Sequence, residues 1–208
     1  MLTFDLQALP TEEVYQLMIS AVAPRPIAFV STLNEHGIAN LAPYSYFNAL
    51  SSNPPIVAFS ASLRARNASA KDTLNNLRHH GELVINMVNY NIVRQMAIAS
   101  IEFPPTVSEF DKSGLTPLRS NFVKPFRVKE SPVQMECKVQ QIIPFGVAGG
   151  AGNLVICEVL CIHLDEAILD EHQKINPHKI DLMGRMGART MSEPVEKLFT
   201  PFIKTRVR

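Results

Sequence analysis

Residues 24–73 read PRPIAFVSTLNEHGIANLAPYSYFNALSSNPPIVAFSASLRARNASAKDT, and the fold is decided there. The run 27–33 is rich in residues that suit a pleated, half-buried surface. Asn34-Glu35-His36-Gly37 follows as a four-residue turn, with Gly37 at its positive-φ position. The next run, 38–46, should pair antiparallel with the first. Alternation puts Asn40, Ala42, Tyr44 and Tyr46 on one face, and Leu41, Pro43, Ser45 and Phe47 on the other. Pro43 has no N–H to give a ladder, so it belongs at a sheet edge or a bulge. Asn53-Pro54-Pro55 is a stiff corner leading into a third run, 56–60. The loop 61–68 then carries Arg64 and Arg66 into a helix expected to begin near Ser69, with Asp72 three residues on as a variant capping box. Leu74 and Leu77 supply that helix's buried stripe, and Gly81 is a suitable residue to end it.

Working outward, Thr11 can cap a short helix with Glu12 and Glu13 in its first turn. A strand over 82–88 precedes an amphipathic helix over 92–101, with Ile92, Val93, Met96 and Ala97 inward. Residues 102–120 are polar and punctuated by Pro104, Pro105, Gly114 and Pro117, which reads as a long loop with one helical turn at most. Strands are expected at 127–128, 133–143 and 153–164, with Gly146, Gly149, Gly150 and Gly152 at the hairpin tip between the last two. A short helix is expected within 176–183. Six or so strands joined mostly by hairpins, with helices inserted, argue for a mainly β chain forming an antiparallel barrel. One domain over 1–190, followed by a tail at 191–208, accounts for the length.

The chain has 208 residues and a formal net charge of +1. That balance gives no general attraction to nucleic acid or to an anionic membrane. Cys137, Cys157 and Cys161 form no CxxC pair, so buried free thiols are expected and a zinc ribbon is not. The start, MLTFDLQALPTEEV, lacks the basic segment and apolar core of a signal peptide. The longest apolar run, 153–164, is too short to span a bilayer. These features point to a cytoplasmic protein.

Chemistry concentrates near 60–73. Arg64, Arg66 and Lys71 surround a helix start, where unpaired N–H groups and the dipole favour an anion, and Ser60, Ser62, Ser69 and Thr73 add hydroxyls. A terminal phosphate would find charge and donors together; the plainer reading is a solvated loop with a routine cap. Tyr44, Tyr46 and Phe47 could flank a planar ring, or could equally be barrel core and rim. The glycines at 146–152 match neither GxGxxG nor GxxxxGK[ST], so a hairpin tip is the stronger reading. The histidines show no metal spacing. His163 lies in an otherwise apolar strand and is held as a catalytic candidate against the commoner role of a satisfied core histidine. No serine sits in a GxSxG elbow.

The run RPIAFVSTLNEHGIANLAPYSYFNALSSNPPIVAFS, followed by KDTLNNLRHHGELVINMV, closely resembles the flavin reductase-like family with the FMN-binding split barrel. NLVICEVLCIHL and KIDLMGRMG are similar to that family's penultimate barrel strand and closing motif, so the resemblance covers about residues 14–190. It implies a six-stranded antiparallel Greek-key split barrel, a homodimer with FMN at the subunit interface, and NADH or NADPH as electron donor. By motif position, Asn40, Pro43, Tyr44, Ser45, Tyr46, Phe47 and Asn48 would line the isoalloxazine and ribityl chain. Ser60, Ser62, Lys71, Asp72 and Thr73 would hold the phosphate, with Arg66 nearby; Asp72 would offer its backbone N–H while its carboxylate caps the helix. His163 would lie on the nicotinamide side. The closing motif departs from the family in having Ala188 for a second glycine and Met191 where an aromatic is usual. The implied activity is hydride transfer from nicotinamide to the flavin and on to a small redox substrate, with a monooxygenase as a possible recipient of reduced flavin. The alternative is an FMN-binding electron carrier that does not use nicotinamide.

Overall fold

The computed structural model describes residues 1–187 and the backbone of 202–204. Helix α1 (Thr11–Ala21) precedes strands β1 (Arg25–Pro26), β2 (Ala28–Leu33), β3 (Ala39–Tyr44), β4 (Phe47–Ser52) and β5 (Pro55–Ser60). Helix α2 (Asp72–His80) leads to β6 (Glu82–Met87), then α3 (Val93–Ala99) and α4 (Glu109–Ser113). Two short strands, β7 (Pro117–Leu118) and β8 (Arg127–Val128), precede the long hairpin of β9 (Val133–Pro144) and β10 (Asn153–Leu164). The chain continues through α5 (Pro177–Ile180), β11 (Met183–Arg185) and β12 (Phe202–Lys204).

Seven strands form one antiparallel sheet in the order β3-β2-β6-β9-β10-β5-β4. Its two edge strands, β3 and β4, are consecutive in sequence and joined only by Ser45 and Tyr46. A flat sheet of seven strands would hold its edges about 29 Å apart, whereas three peptide units reach at most about 11 Å. The sheet must therefore roll until its edges nearly meet, and the seam where it stays open lies at Ser45–Tyr46. This is a split barrel, with one strand more than the six expected. The extra strand is β4, over 47–52, a stretch to which the sequence assigned no strand; β3 itself stops at Tyr44, two residues short of the expected end.

β2 is buried on both faces, which explains its nearly unbroken apolar run. Ala28 and Val30 face the barrel interior with Tyr44, Phe59, Leu83, Ile85, Cys137, Val155 and Cys157. Leu74 and Leu77 of α2 join that interior cluster, so the helix packs into the barrel core. Phe29 and Leu41 point the other way, into a second cluster with Met96 of α3 and Phe110 of α4. All three cysteines are free thiols. No helix among the described residues is long and apolar enough to cross a membrane.

One expected helix start moves, and a segment read as loop holds a short helix. α2 begins at Asp72, not near Ser69, and the residue before it, Lys71, caps it without a side-chain hydrogen bond. The 102–120 segment contains α4, stopped by Gly114 in the left-handed region. Ala188 and Met191 lie outside the described residues, as does most of the expected 191–208 tail. The backbone of 202–204 pairs with β11, which in turn pairs with β1.

Candidate flavin site

Because β3 is an edge strand, alternate backbone groups along it point away from the sheet. The Leu41 N–H does so and donates to Glu109 Oε2 at 2.9 Å. Pro43, two residues on, faces the same way, so its missing N–H leaves no ladder bond unmade. The seam therefore presents open backbone edges on both sides, with Ser45 and Tyr46 between them. Tyr46 is at the surface and Phe47 is half-buried against the interior cluster. The Tyr46 carbonyl accepts from the Ser60 N–H at 2.8 Å, which ties the seam to the end of β5.

Tyr44 is less available for stacking than alternation alone suggests. Its ring is buried, with its centroid 5.1 Å from that of Phe59. Its hydroxyl is enclosed beside Thr73, without a hydrogen bond of full geometry. Burial pushes the Tyr44 phenol up to about 12. Lys71 Nζ lies 5.9 Å from the centre of the same ring. Lys71 is exposed as a residue, but partial desolvation of its ammonium, and then the nearby Arg64 charge, lower its pKa from the ordinary value.

Asn40 does not offer a free amide to a ligand. Its Oδ1 accepts from Thr73 Oγ1 at 2.7 Å, and its Nδ2 donates to both Glu109 oxygens at 3.1 Å. Asn40 therefore braces the ring-side strand β3 against the first turn of α2. Glu109 is buried; its burial raises the carboxyl pKa, and hydrogen bonds from Leu41 and Asn40 oppose that rise. A cavity of about 410 Å³ opens beside Asn40, Asp72 and Glu109, walled by Asn76 and Pro105. Glu109 was not legible as a site residue because it stood in a segment read as loop; the signal was the SEFDKSG run ending in a stop glycine.

The phosphate-side residues converge only in part. Thr73 is buried against Asn40, and the α2 start carries no side-chain cap. Ser60 and Ser62 flank Ala61, whose N–H and C=O pair with Asn153 in β10. Asp72 does not cap the helix; its carboxylate stands 3.7 Å from Arg64. Arg64 donates to the Ala70 carbonyl and to Glu102, and Arg66 also donates to Glu102. Asn48 is exposed, with its Oδ1 accepting from the Ala49 N–H. Ser45 Oγ accepts from Arg25 Nε at 3.4 Å. Arg25 itself is buried and lies opposite Arg185 across the β1–β11 ladder, two cations beside the seam that sequence reasoning missed.

The glycine-rich tip has a packing reason. A Cβ on Gly149 would sit 2.4 Å from the Ala65 carbonyl oxygen, so the tip presses directly on the 61–65 loop. Leu63 N–H donates to Ala151 O, and Gly150 N–H to Leu63 O, fixing that contact. Gly149→Ala is expected to force the two loops apart and destabilise the fold by about 1–3 kcal/mol. Thermal melting of the variant checks this, and an unchanged midpoint would count against the contact.

Within the chain His163 engages Glu136 and Cys161, at the far end of β10 opposite Gln134 of β9. Its Nε2 lies 2.7 Å from Oε1 of the fully buried Glu136. Burial opposes ionisation of Glu136, but N–H donors from Asn121, Phe122 and Val123, together with His163, hold its pKa below the ordinary value.

A family model described as the flavin reductase like domain matches residues 20–179 of the sequence. The chain belongs to the flavin reductase-like family. A relative from Aquifex aeolicus (strain VF5) is 40% identical over 178 residues, covering 86% of this chain and 88% of that protein. The structure of nitrilotriacetate monooxygenase component B from Bacillus cereus superposes with a TM-score of 0.85 at 30% identity, covering 91% of this chain and 94% of that one. The 2-nitrobenzoate 2-nitroreductase NbaA of Pseudomonas fluorescens gives 0.83 at 28% identity, over 100% and 94%. In this flavin reductase-like chain, the uncapped α2 start with Lys71 fits a terminal phosphate, and the open strand edges at the seam fit the polar edge of a flavin ring.

Proposed function

We propose that this protein is an FMN-dependent oxidoreductase of the flavin reductase type, drawing electrons from NADH or NADPH and passing them to a small redox substrate. The observation that carries the reading is the meeting of the open seam between β3 and β4 with the uncapped α2 start and the Lys71 ammonium beside the Tyr44 ring. FMN, when bound, would supply the electrophilic ring that accepts hydride. The chain's own part is to hold and enclose it. Lys71, Ser60 and Ser62 would hold the phosphate, with Asp72 and Thr73 giving backbone N–H groups because the Thr73 hydroxyl is committed to Asn40, and Arg66 would assist from the surface. Backbone groups from Pro43 to Asn48 would orient the ring, and Asn40 would keep ring side and phosphate side in register. His163 would act, if at all, from a second copy of the chain at the shared site.

The likeness to a monooxygenase component supports delivery of reduced flavin to a monooxygenase as one outlet. The exposed edge of β4, carrying Leu50 at the surface, suits a homodimer. A second reading, an FMN-binding electron carrier, is favoured by the engagement of His163 with Glu136. A visible spectrum with anaerobic addition of NADH or NADPH separates the two. Yellow protein bleached by nicotinamide supports the reductase, and yellow protein bleached only by dithionite leaves the carrier. Protein that stays colourless after reconstitution with FMN removes both.

A further inference from the structure

One oxygen of Glu102 occupies the point where the two loop guanidiniums converge. Glu102 Oε1 accepts from Arg64 Nε at 2.5 Å and from Arg66 Nη2 at 2.8 Å. The two arginines are not equivalent. Arg64 is largely covered, donates to the Ala70 carbonyl and to Ser69 Oγ, and stands near Asp72, so it is fixed by the loop itself. Arg66 is exposed, with 68% of its side chain accessible, and Glu102 is its ion-pair partner. Glu102 enters from a different part of the chain, the segment after α3, whose prolines Pro104 and Pro105 wall the cavity beside Asn40.

An arginine fork presents the same donors to a carboxylate and to a phosphate. A terminal phosphomonoester carries about −1.5 to −2 charge and three acceptor oxygens at neutral pH, against one negative charge on Glu102. Exposed ion pairs contribute little, so the Glu102–Arg66 contact is a weak lock that a phosphate can displace. We infer that Glu102 is an internal competitor for the phosphate of FMN. It closes Arg66 when the ligand is away and lowers cofactor affinity when the ligand arrives. Arg64 stays in place throughout and keeps the loop in shape. The consequence is a flavin that exchanges with solution, which suits a protein that passes reduced flavin on. The inference rests on the FMN reading and adds to it the residue that governs release.

The experiment uses full-length protein stripped of flavin and titrates FMN and riboflavin separately by fluorescence quenching. Glu102→Gln keeps size and polarity at a partly exposed position. It is expected to tighten FMN about two- to fivefold and to leave riboflavin, which lacks the phosphate, unchanged. Arg66→Ala should weaken FMN more in the Glu102→Gln background than in the wild type, because the wild-type arginine is already partly engaged. Equal FMN affinity in wild type and Glu102→Gln overturns the inference, as does an equal gain for riboflavin. Wild-type protein that takes no FMN gives a different result: it removes the flavin reading itself.

Discussion

Replacing Glu136 with alanine is expected to destabilise the fold by about 3–5 kcal/mol, the range for breaking a buried, hydrogen-bonded charge network. The side chain is fully buried and accepts from three consecutive backbone N–H groups, those of Asn121, Phe122 and Val123, while His163 contacts the same carboxylate. Removing it leaves those donors, the buried Val123 N–H above all, without their acceptor, and the 119–126 segment loses its anchor to β9. Urea unfolding measures the loss; a change below about 1 kcal/mol would show that the loop is held by other contacts. The carboxylate also has a pH signature. Its folded pKa lies below the ordinary value, so its stabilisation is present above the unfolded carboxyl pKa and is lost as pH falls through the folded one. The stability gap between wild type and Glu136→Gln should therefore shrink on acidification below about pH 4.5.

Replacing Lys71 with methionine, which keeps the stem over the Tyr44 ring, should weaken FMN about ten- to hundredfold while riboflavin affinity holds. Among the described residues no carboxylate lies within ion-pair distance of Lys71, unlike Arg64 and Arg66. It is therefore the cation best placed to give its full charge to a phosphate, and hydrogen bonds to charged groups contribute about 1.5–3 kcal/mol. Calorimetric titration at fixed ionic strength checks the effect. Equal affinity for the two flavins in the variant and in wild type would put the phosphate somewhere other than the α2 start.

Much of the barrel was readable because its strands advertise themselves locally. The span 153–164 emerged with its boundaries intact, since turn residues bracket an apolar run of fixed length. Leu74 and Leu77 are both buried, and Gly81 adopts the left-handed conformation that ends α2. The seam was invisible for the opposite reason. Alternation continues unbroken from Leu41 to Phe47, and nothing in Ser45-Tyr46 signals that the chain leaves one edge of the sheet and joins the other. That event is decided by the far partners of β3 and β4.

The candidate site was legible as residue types and less so as pairings. Lys71 and Tyr44 lie together, but Arg64 and Arg66 are claimed by Glu102, and Asn40 by Thr73 and Glu109. These carboxylates come from a segment whose polarity and prolines read as mere connection. The glycines at 146–152 read as flexibility, whereas Gly149 serves a tight approach to Ala65.

The two-residue join between opposite edges also bears on how the chain assembles. β5 pairs with β10 across a separation of about a hundred residues, with Val57 opposite Cys157, and only then does β4 acquire a place beside the seam. Contacts of such long range are made late and slowly, because their loop entropy must be overcome before they return any stabilisation. The proposed ligand seat would thus form only with barrel closure. A flavin that recognises it acts on the finished molecule, slowing its unfolding more than it hastens its folding.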